Sequence, residues 1–153
     1  MRLTATVEDY LKALLALANR AEEARTVVLA DLLGVSAAAA TAMLKRLAEA
    51  GLVDYEPYHG ARLTLRGRHE AVRVLRRHRI LETFLVRTLG FRPDAVHPEA
   101  ERLEHAASDE LVEAMARFLG SPEHDPHGAP IPARPGAVRR TVPDIMGAAP
   151  GAA

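Results

Sequence analysis

Cysteine is absent from this 153-residue chain, and so is tryptophan. Without cysteine there is no disulfide and no thiolate, so any metal has to be held by imidazole and carboxylate groups. Aromatic residues amount to 4%, so the core has to be built from Leu, Ala and Val, as helices often are. No run of about 18 apolar residues occurs, which argues against a membrane-spanning helix. The opening stretch MRLTATVEDYLKALLALA carries acidic residues inside its apolar run, unlike a secretory leader, and a cytoplasmic location fits. Net charge is lacking too, because 20 Lys/Arg offset 20 Asp/Glu. That balance hides an asymmetry. Residues 1–80 carry 13 basic and 9 acidic side chains, residues 81–120 carry 4 and 8, and the remainder 3 and 3. A basic first half points to a polyanionic partner and an acidic second half to a cation.

What is present is mainly helical periodicity. Val7, Tyr10, Leu11, Leu14, Leu15, Leu17 and Ala18 share helical spacing over 6–20, with Thr6 as the expected N-cap. TVVLADLLGV reads as a short helix stopped by Gly34, and Ser36 caps a second one that runs to Gly51. Two short helices around a tight Gly-containing turn form the helix-turn-helix pattern. LVDYEPYHGARLTL then alternates in β fashion around the turn residues Pro57 to Gly60, which predicts a hairpin, or wing. From Arg66 a long amphipathic helix carries Val72, Leu75, Ile80, Leu81, Phe84 and Leu85 on its apolar line. One or two further helices follow the loop at Pro93. Past Gly120 a Pro-, Gly- and Ala-rich stretch without periodicity reads as a linker or a disordered end.

Two constellations carry chemistry. A helix that reads the major groove exposes short side chains at its N-terminal end and needs basic neighbours for phosphates. Ser36, Ala38, Ala39, Thr41 and Ala42 are the expected groove-facing residues. Lys45, with His59 and Arg62 on the wing, would meet the DNA beside them. Alanine can touch a thymine methyl but makes no hydrogen bond to a base edge, so direct readout should be weak and shape readout stronger. The second constellation is Glu101, Glu104 and His105, spaced i, i+3 and i+4 on one helix face. Two carboxylates and an imidazole at one spot are costly without a neutralising cation. His78 and Glu82 form an i, i+4 pair on the preceding helix, His97 lies just ahead of Glu101, and Asp9 stands in the first turn of the first helix. Oxygen and nitrogen donors without sulfur suit Mn2+ or Fe2+.

These stretches resemble the diphtheria toxin repressor family of iron- and manganese-dependent regulators, which includes the manganese transport regulators. TVEDYLKALLAL, the helix-turn-helix and wing, RRHRILETFL, VHPEAERLEHAASDEL and the closing GAPIP carry the likeness across nearly all of residues 6–132. The resemblance implies a mainly α protein: a winged helix-turn-helix over 1–72, a helical dimerisation and metal-binding domain over 73–133, and a tail over 134–153. It places Asp9, Glu101, Glu104 and His105 at the principal metal positions, and His78, Glu82 and His97 at an ancillary one. Ser36, Ala38, Ala39 and Ala42 fall on DNA-facing positions. Iron-type members hold methionine and cysteine where Asp9 and Glu101 stand, so the resemblance favours Mn2+. Lys12 departs from the pattern, since manganese regulators place a second acidic ligand there. Ligands from the SH3-like third domain of longer members are expected to be missing.

Together these features predict a non-enzymatic repressor that binds operator DNA as a homodimer and answers Mn2+ or Fe2+. A cation shared between Asp9 and the Glu104 face would orient the two halves and set the recognition helices about 34–36 Å apart. Two rivals are a winged-helix regulator of a small organic ligand and a carboxylate/His metalloenzyme. The first is disfavoured by few aromatics and no evident apolar pocket. The second lacks a symmetry-related Glu-x-x-His set and any nucleophile.

Overall fold

The computed structural model describes residues 3–134, so of the tail expected over 134–153 only Arg134 falls within it. The elements in chain order are α1 (Ala5–Asn19), α2 (Thr26–Leu33), α3 (Ala37–Glu49), β1 (Val53–Glu56), β2 (Gly60–Leu63), α4 (Leu65–Leu89), α5 (His97–Glu104) and α6 (Asp109–Phe118). The mainly α reading holds.

Hydroxyl side chains set most of the helix starts by accepting an otherwise orphan amide. Ser36 Oγ accepts from Ala39 N at 3.1 Å, Thr64 Oγ1 from Gly67 N at 3.0 Å and Ser108 Oγ from Leu111 N at 3.1 Å. At α1 the cap is Thr4 and not the expected Thr6. Thr4 has the extended backbone a cap requires, and its Oγ1 accepts from Val7 N at 3.3 Å, whereas Thr6 already lies inside the first turn. Gly34 ends α2 in the left-handed conformation at φ +65°, and the Val35 amide returns to Ala30 O at 3.0 Å. That closure turns the chain sharply into Ser36 and α3.

β1 and β2 pair antiparallel, with Val53 opposite Leu63 and Glu56 opposite Gly60. The Ala61 amide donates to Ala24 O at 3.0 Å, which ties the wing to the α1–α2 loop. Leu11, Leu14, Leu15, Leu29, Leu44, Leu47 and Leu52 build one buried cluster, so α1, α2, α3 and the wing base share a core. Ile80, Leu81, Leu85, Val96, Ala100 and Val112 build a second from α4, α5 and α6. The unbroken α4 runs through both clusters, and α1 packs along it. The acidic start of α1 is thereby brought to the end of α5.

The stretch after Gly120 does not dissolve at once. Ile131 is buried, its amide donates to Glu123 O at 2.8 Å, and Arg76 Nη1 donates to Pro132 O at 2.7 Å. Non-periodic sequence here means irregular backbone pinned by an α4 arginine, not absence of structure. Among the described residues no single helix is long and apolar enough to cross a membrane.

The join between wing and α4 depends on Gly67, where an added Cβ would stand 1.9 Å from the Leu52 carbonyl oxygen. Gly67→Ala should cost about 3 kcal/mol by overpacking. Gly34→Ala, which meets nothing within 4 Å, should cost only the left-handed backbone term of about 1–2 kcal/mol. Urea unfolding of the two variants measures the difference, and equal losses would contradict this packing.

Candidate metal centre and nucleic-acid interface

α1, α4 and α5 meet at the carboxylate of Glu104, the last residue of α5, which is fully buried. Its Oε2 accepts from His78 Nδ1 on α4 at 2.6 Å, and its Oε1 accepts from Lys12 Nζ on α1 at 2.6 Å. The opposite ring nitrogen of His78, Nε2, lies 2.7 Å from Glu82 Oε1. Glu82 is buried as well, and two more imidazoles approach it: His97 Nδ1 at 3.0 Å and His127 Nδ1 at 3.2 Å. Ammonium, carboxylate, imidazole and carboxylate therefore alternate in one row that runs from the partly buried Lys12 to the buried Glu82.

The row fixes its own protonation. Burial works against a charged His78, but the hydrogen bonds it donates to Glu104 and Glu82 outweigh it and raise its pKa from 6.5 to about 9. Burial also works against ionised Glu82, yet His78 and His97 pull its pKa from 4.5 down to about 2. Glu104 is lowered in the same way, against burial, by His78 and Lys12. The carboxylates gathered here are not left uncompensated, as the sequence alone suggests. With His78 protonated, Lys12 and His78 already neutralise Glu104 and Glu82 in the metal-free chain, so this cluster does not demand a divalent ion merely to exist.

Asp9 sits across the cleft from the end of α5. His105 Nε2 lies 2.9 Å from Asp9 Oδ1 and 3.4 Å from Glu104 Oε1. Asp9, Glu104 and His105 can each offer one donor atom within 4.8 Å of the others, and so can His78, Glu82 and His97. His105 is the first residue beyond α5, but its backbone stays helical at φ −81° and ψ −21°, so the expected shared face survives. Glu101 stands apart from the tightest trio. Its half-exposed carboxylate is 3.1 Å from His97 Nε2 and 3.8 Å from Lys12 Nζ, on the rim between the two groups. Asp9, Lys12, His97, Glu101 and His105 line an open cleft of about 740 Å³ between α1 and α5.

Four residues not singled out from sequence complete the site. Glu8 is buried, pairs with the Arg77 guanidinium, and lies 3.4 Å from His105 Nδ1. Arg77 Nη1 donates to the Glu104 backbone carbonyl at 3.1 Å, so this pair seats the end of α5 against α1. Adjacent acids on one helix cannot share a face; Glu8 therefore turns inward and Asp9 toward the cleft. Asp125 and His127 belong to the stretch that reads as linker. With Glu82 they form a third donor group within 4.8 Å, because Asp125 Oδ1 accepts the His127 and Ala129 amides at 2.9 Å and shapes the turn.

This donor set fits a first-row divalent cation: carboxylate oxygen and imidazole nitrogen, no sulfur, and a buried central carboxylate whose neighbours orient it.

At the other end of the molecule, Ser36 at the cap of α3 and Ala38, Ala39, Ala42 and Lys45 on it are exposed, Thr41 is half-buried, and Ala40 is buried in the core. The Ser36 hydroxyl is already engaged as the helix cap. His59 and Arg62 are exposed on the hairpin. Thr41, Lys45, Tyr55 and Tyr58 border a groove of about 600 Å³ between α2, α3 and the wing. Tyr58, also not singled out beforehand, stands at the wing tip with φ +68° and 98% exposure.

Residues 2–61 match the family model for the iron dependent repressor N-terminal DNA binding domain, and residues 64–133 match its metal binding and dimerisation domain. An HTH-type transcriptional regulator of Methanocaldococcus jannaschii is 38% identical over 118 residues, covering 76% of this chain and 94% of that protein. The transcriptional regulator MntR of Escherichia coli is 38% identical over 112 residues, covering 73% of this chain and 72% of the relative. Among solved structures, a manganese-dependent transcriptional repressor in complex with manganese superposes with a TM-score of 0.75 at 46% identity, over 85% of this chain. The manganese regulator SloR gives 0.75 at 38% identity over 91%. The chain spans 60% and 65% of those two chains. These relatives are regulators of transcription, the class expected over a metalloenzyme. Both halves of the chain match in order and without a large gap, and the chain belongs to the iron-dependent repressor family, of which the diphtheria toxin repressor is a member.

Proposed function

We propose that this chain is a cytoplasmic, metal-dependent repressor that binds double-stranded operator DNA as a homodimer and answers Mn2+, with Fe2+ as the alternative ion. The observation that carries the reading is the approach of Asp9 on α1 to Glu104 and His105 at the end of α5. Those three residues would hold the ion, with Glu101 on the rim, and His78, Glu82 and His97 would form a neighbouring position that Asp125 and His127 extend. Carboxylates at both 9 and 101 favour the harder ion, Mn2+. When bound, the cation supplies positive charge that α1 and α5 share.

The chain's own residues do the rest. Arg77 and Glu8 seat the end of α5, so Asp9 meets a face that is already oriented. Leu11, Leu14 and Leu15 continue from Asp9 into the core that also holds Leu44 and Leu47 of α3. A close-packed core transmits the setting of α1 to the recognition helix instead of absorbing it. Leu111 and Phe118 on α6 are 51% and 72% exposed, an apolar surface suited to a second copy. The exposed alanines of α3 offer shape and methyl contacts, while Lys45, His59 and Arg62 surround them for phosphates.

Three outcomes follow. A duplex enriched from a random library in the presence of MnCl2 should bind the parent more tightly with Mn2+ than without it. Asp9→Ala should lose about 100-fold or more in Mn2+ affinity by calorimetry, and with it the metal-dependent gain in DNA affinity. Equal DNA binding by Asp9→Ala with and without Mn2+, as tight as the loaded parent, would overturn the coupling. On the same duplex, Lys45→Ala should lower the slope of log affinity against log salt by about 1, and an unchanged slope would remove Lys45 from the phosphate contacts. The third outcome concerns pH. A raised His78 pKa stabilises the metal-free fold fully below pH 6.5, and that contribution is lost as pH rises through about 9. A lowered Glu82 pKa stabilises it above pH 4.5 and is lost as pH falls through about 2. Metal-free thermal stability should therefore peak between pH 4.5 and 6.5. His78→Gln should flatten the alkaline limb, and a limb of unchanged steepness would contradict the assignment.

A further inference from the structure

The Lys12 ammonium lies 2.6 Å from Glu104 Oε1 and 3.8 Å from Glu101 Oε1, and only 19% of its side chain is exposed. A lysine on a surface helix ordinarily keeps its head in water. Here it turns into the cleft, onto a carboxylate oxygen that is completely buried and that faces His105 as well. Glu104 Oε1 is thus shared by the donor trio with Asp9, and Lys12 holds it. Lys12 also belongs to α1 and both its acidic partners to α5, so the contact joins α1 to the same end of α5 that the Asp9–His105 approach reaches.

Resting on the metal reading above, we propose that Lys12 is a resident cation of the site: it clamps α1 to α5 before metal arrives, and a divalent ion must displace it from Glu104. Like charges a few ångströms apart in a partly buried cleft repel strongly. A cation bound to Glu104 Oε1 therefore requires Lys12 to swing into the open cleft, and that displacement opposes binding. Two consequences follow. Affinity for a divalent ion is lower than the donor set alone would give. The gain in order between α1 and α5 on metal binding is also smaller, because part of that clamp exists already.

The test uses the full chain and MnCl2. Lys12→Met removes the charge and keeps the length, Lys12→Gln is a second variant in case the methionine collapses the cleft, and Lys12→Arg keeps the charge. Calorimetry should show Mn2+ binding about tenfold or more tighter in Lys12→Met or Lys12→Gln, with Lys12→Arg staying within about threefold of the parent. Hydrogen exchange of the metal-free proteins should be faster in α1 and α5 of the uncharged variants and unchanged in the arginine variant. Mn2+ affinity of the uncharged variants within about twofold of the parent, with the same exchange, would overturn the role of Lys12 while leaving the metal reading intact. No Mn2+ uptake by the parent or by any variant would sink the metal reading and this one with it. Uptake by the uncharged variants alone would sink only the parent's metal response and support the blocking role of Lys12.

Discussion

A fully buried carboxylate, Glu104, is the point on which the two halves of this molecule depend. It is an anion at the end of a two-turn helix, reached from α4 by His78 and from α1 by Lys12. A lone carboxylate at such depth would be too costly to keep ionised. It persists because its partners come from different elements and their hydrogen bonds outweigh its desolvation. The same arrangement that makes the anion tolerable therefore fixes how the DNA-binding half and the helical half lie against each other. Any cation that competes for Glu104 competes for that geometry.

The partners also have a direction. His78 continues the row to Glu82, while Lys12 faces the open cleft with Asp9 and Glu101. The inner side of Glu104 is closed by groups that are themselves buried, and its outer side is covered by Lys12, which lines the open cleft. The row is neutral only with the Lys12 ammonium counted, so an exchange of charge at the rim bears directly on Glu104. The adjacent Glu8–Arg77 pair gives the backbone at the end of α5 a seat on α1 and α4 that does not depend on the groups at the rim.

Much of this was legible in the chain itself. Ser36, Gly34 and Gly51 punctuate the helix-turn-helix by cap and left-handed backbone, and the structure uses all three in those roles. The i, i+3, i+4 spacing of Glu101, Glu104 and His105 gave the shared face, although Glu101 stands at its rim. Three things were not legible. Thr4 and Thr6 are both competent caps, and only the backbone conformation decides between them. Glu8 looks like another solvated acid until α4 places Arg77 over it. Asp125 and His127 lie in sequence without periodicity, and a non-local contact through Arg76 orders that segment, a kind of information no local pattern carries. The charge of the site was legible only in part, because Lys12 becomes a partner of Glu104 through a contact spanning 92 residues.

Anomalous diffraction at the manganese edge, from crystals grown with MnCl2, asks whether Asp9 on α1 shares one cation with Glu104 and His105 at the end of α5. A shared ion gives a manganese peak within bonding distance of all three side chains, with the Lys12 ammonium moved off Glu104. Peaks confined to exposed carboxylates, with Asp9 still on His105 and Lys12 still on Glu104, would contradict it.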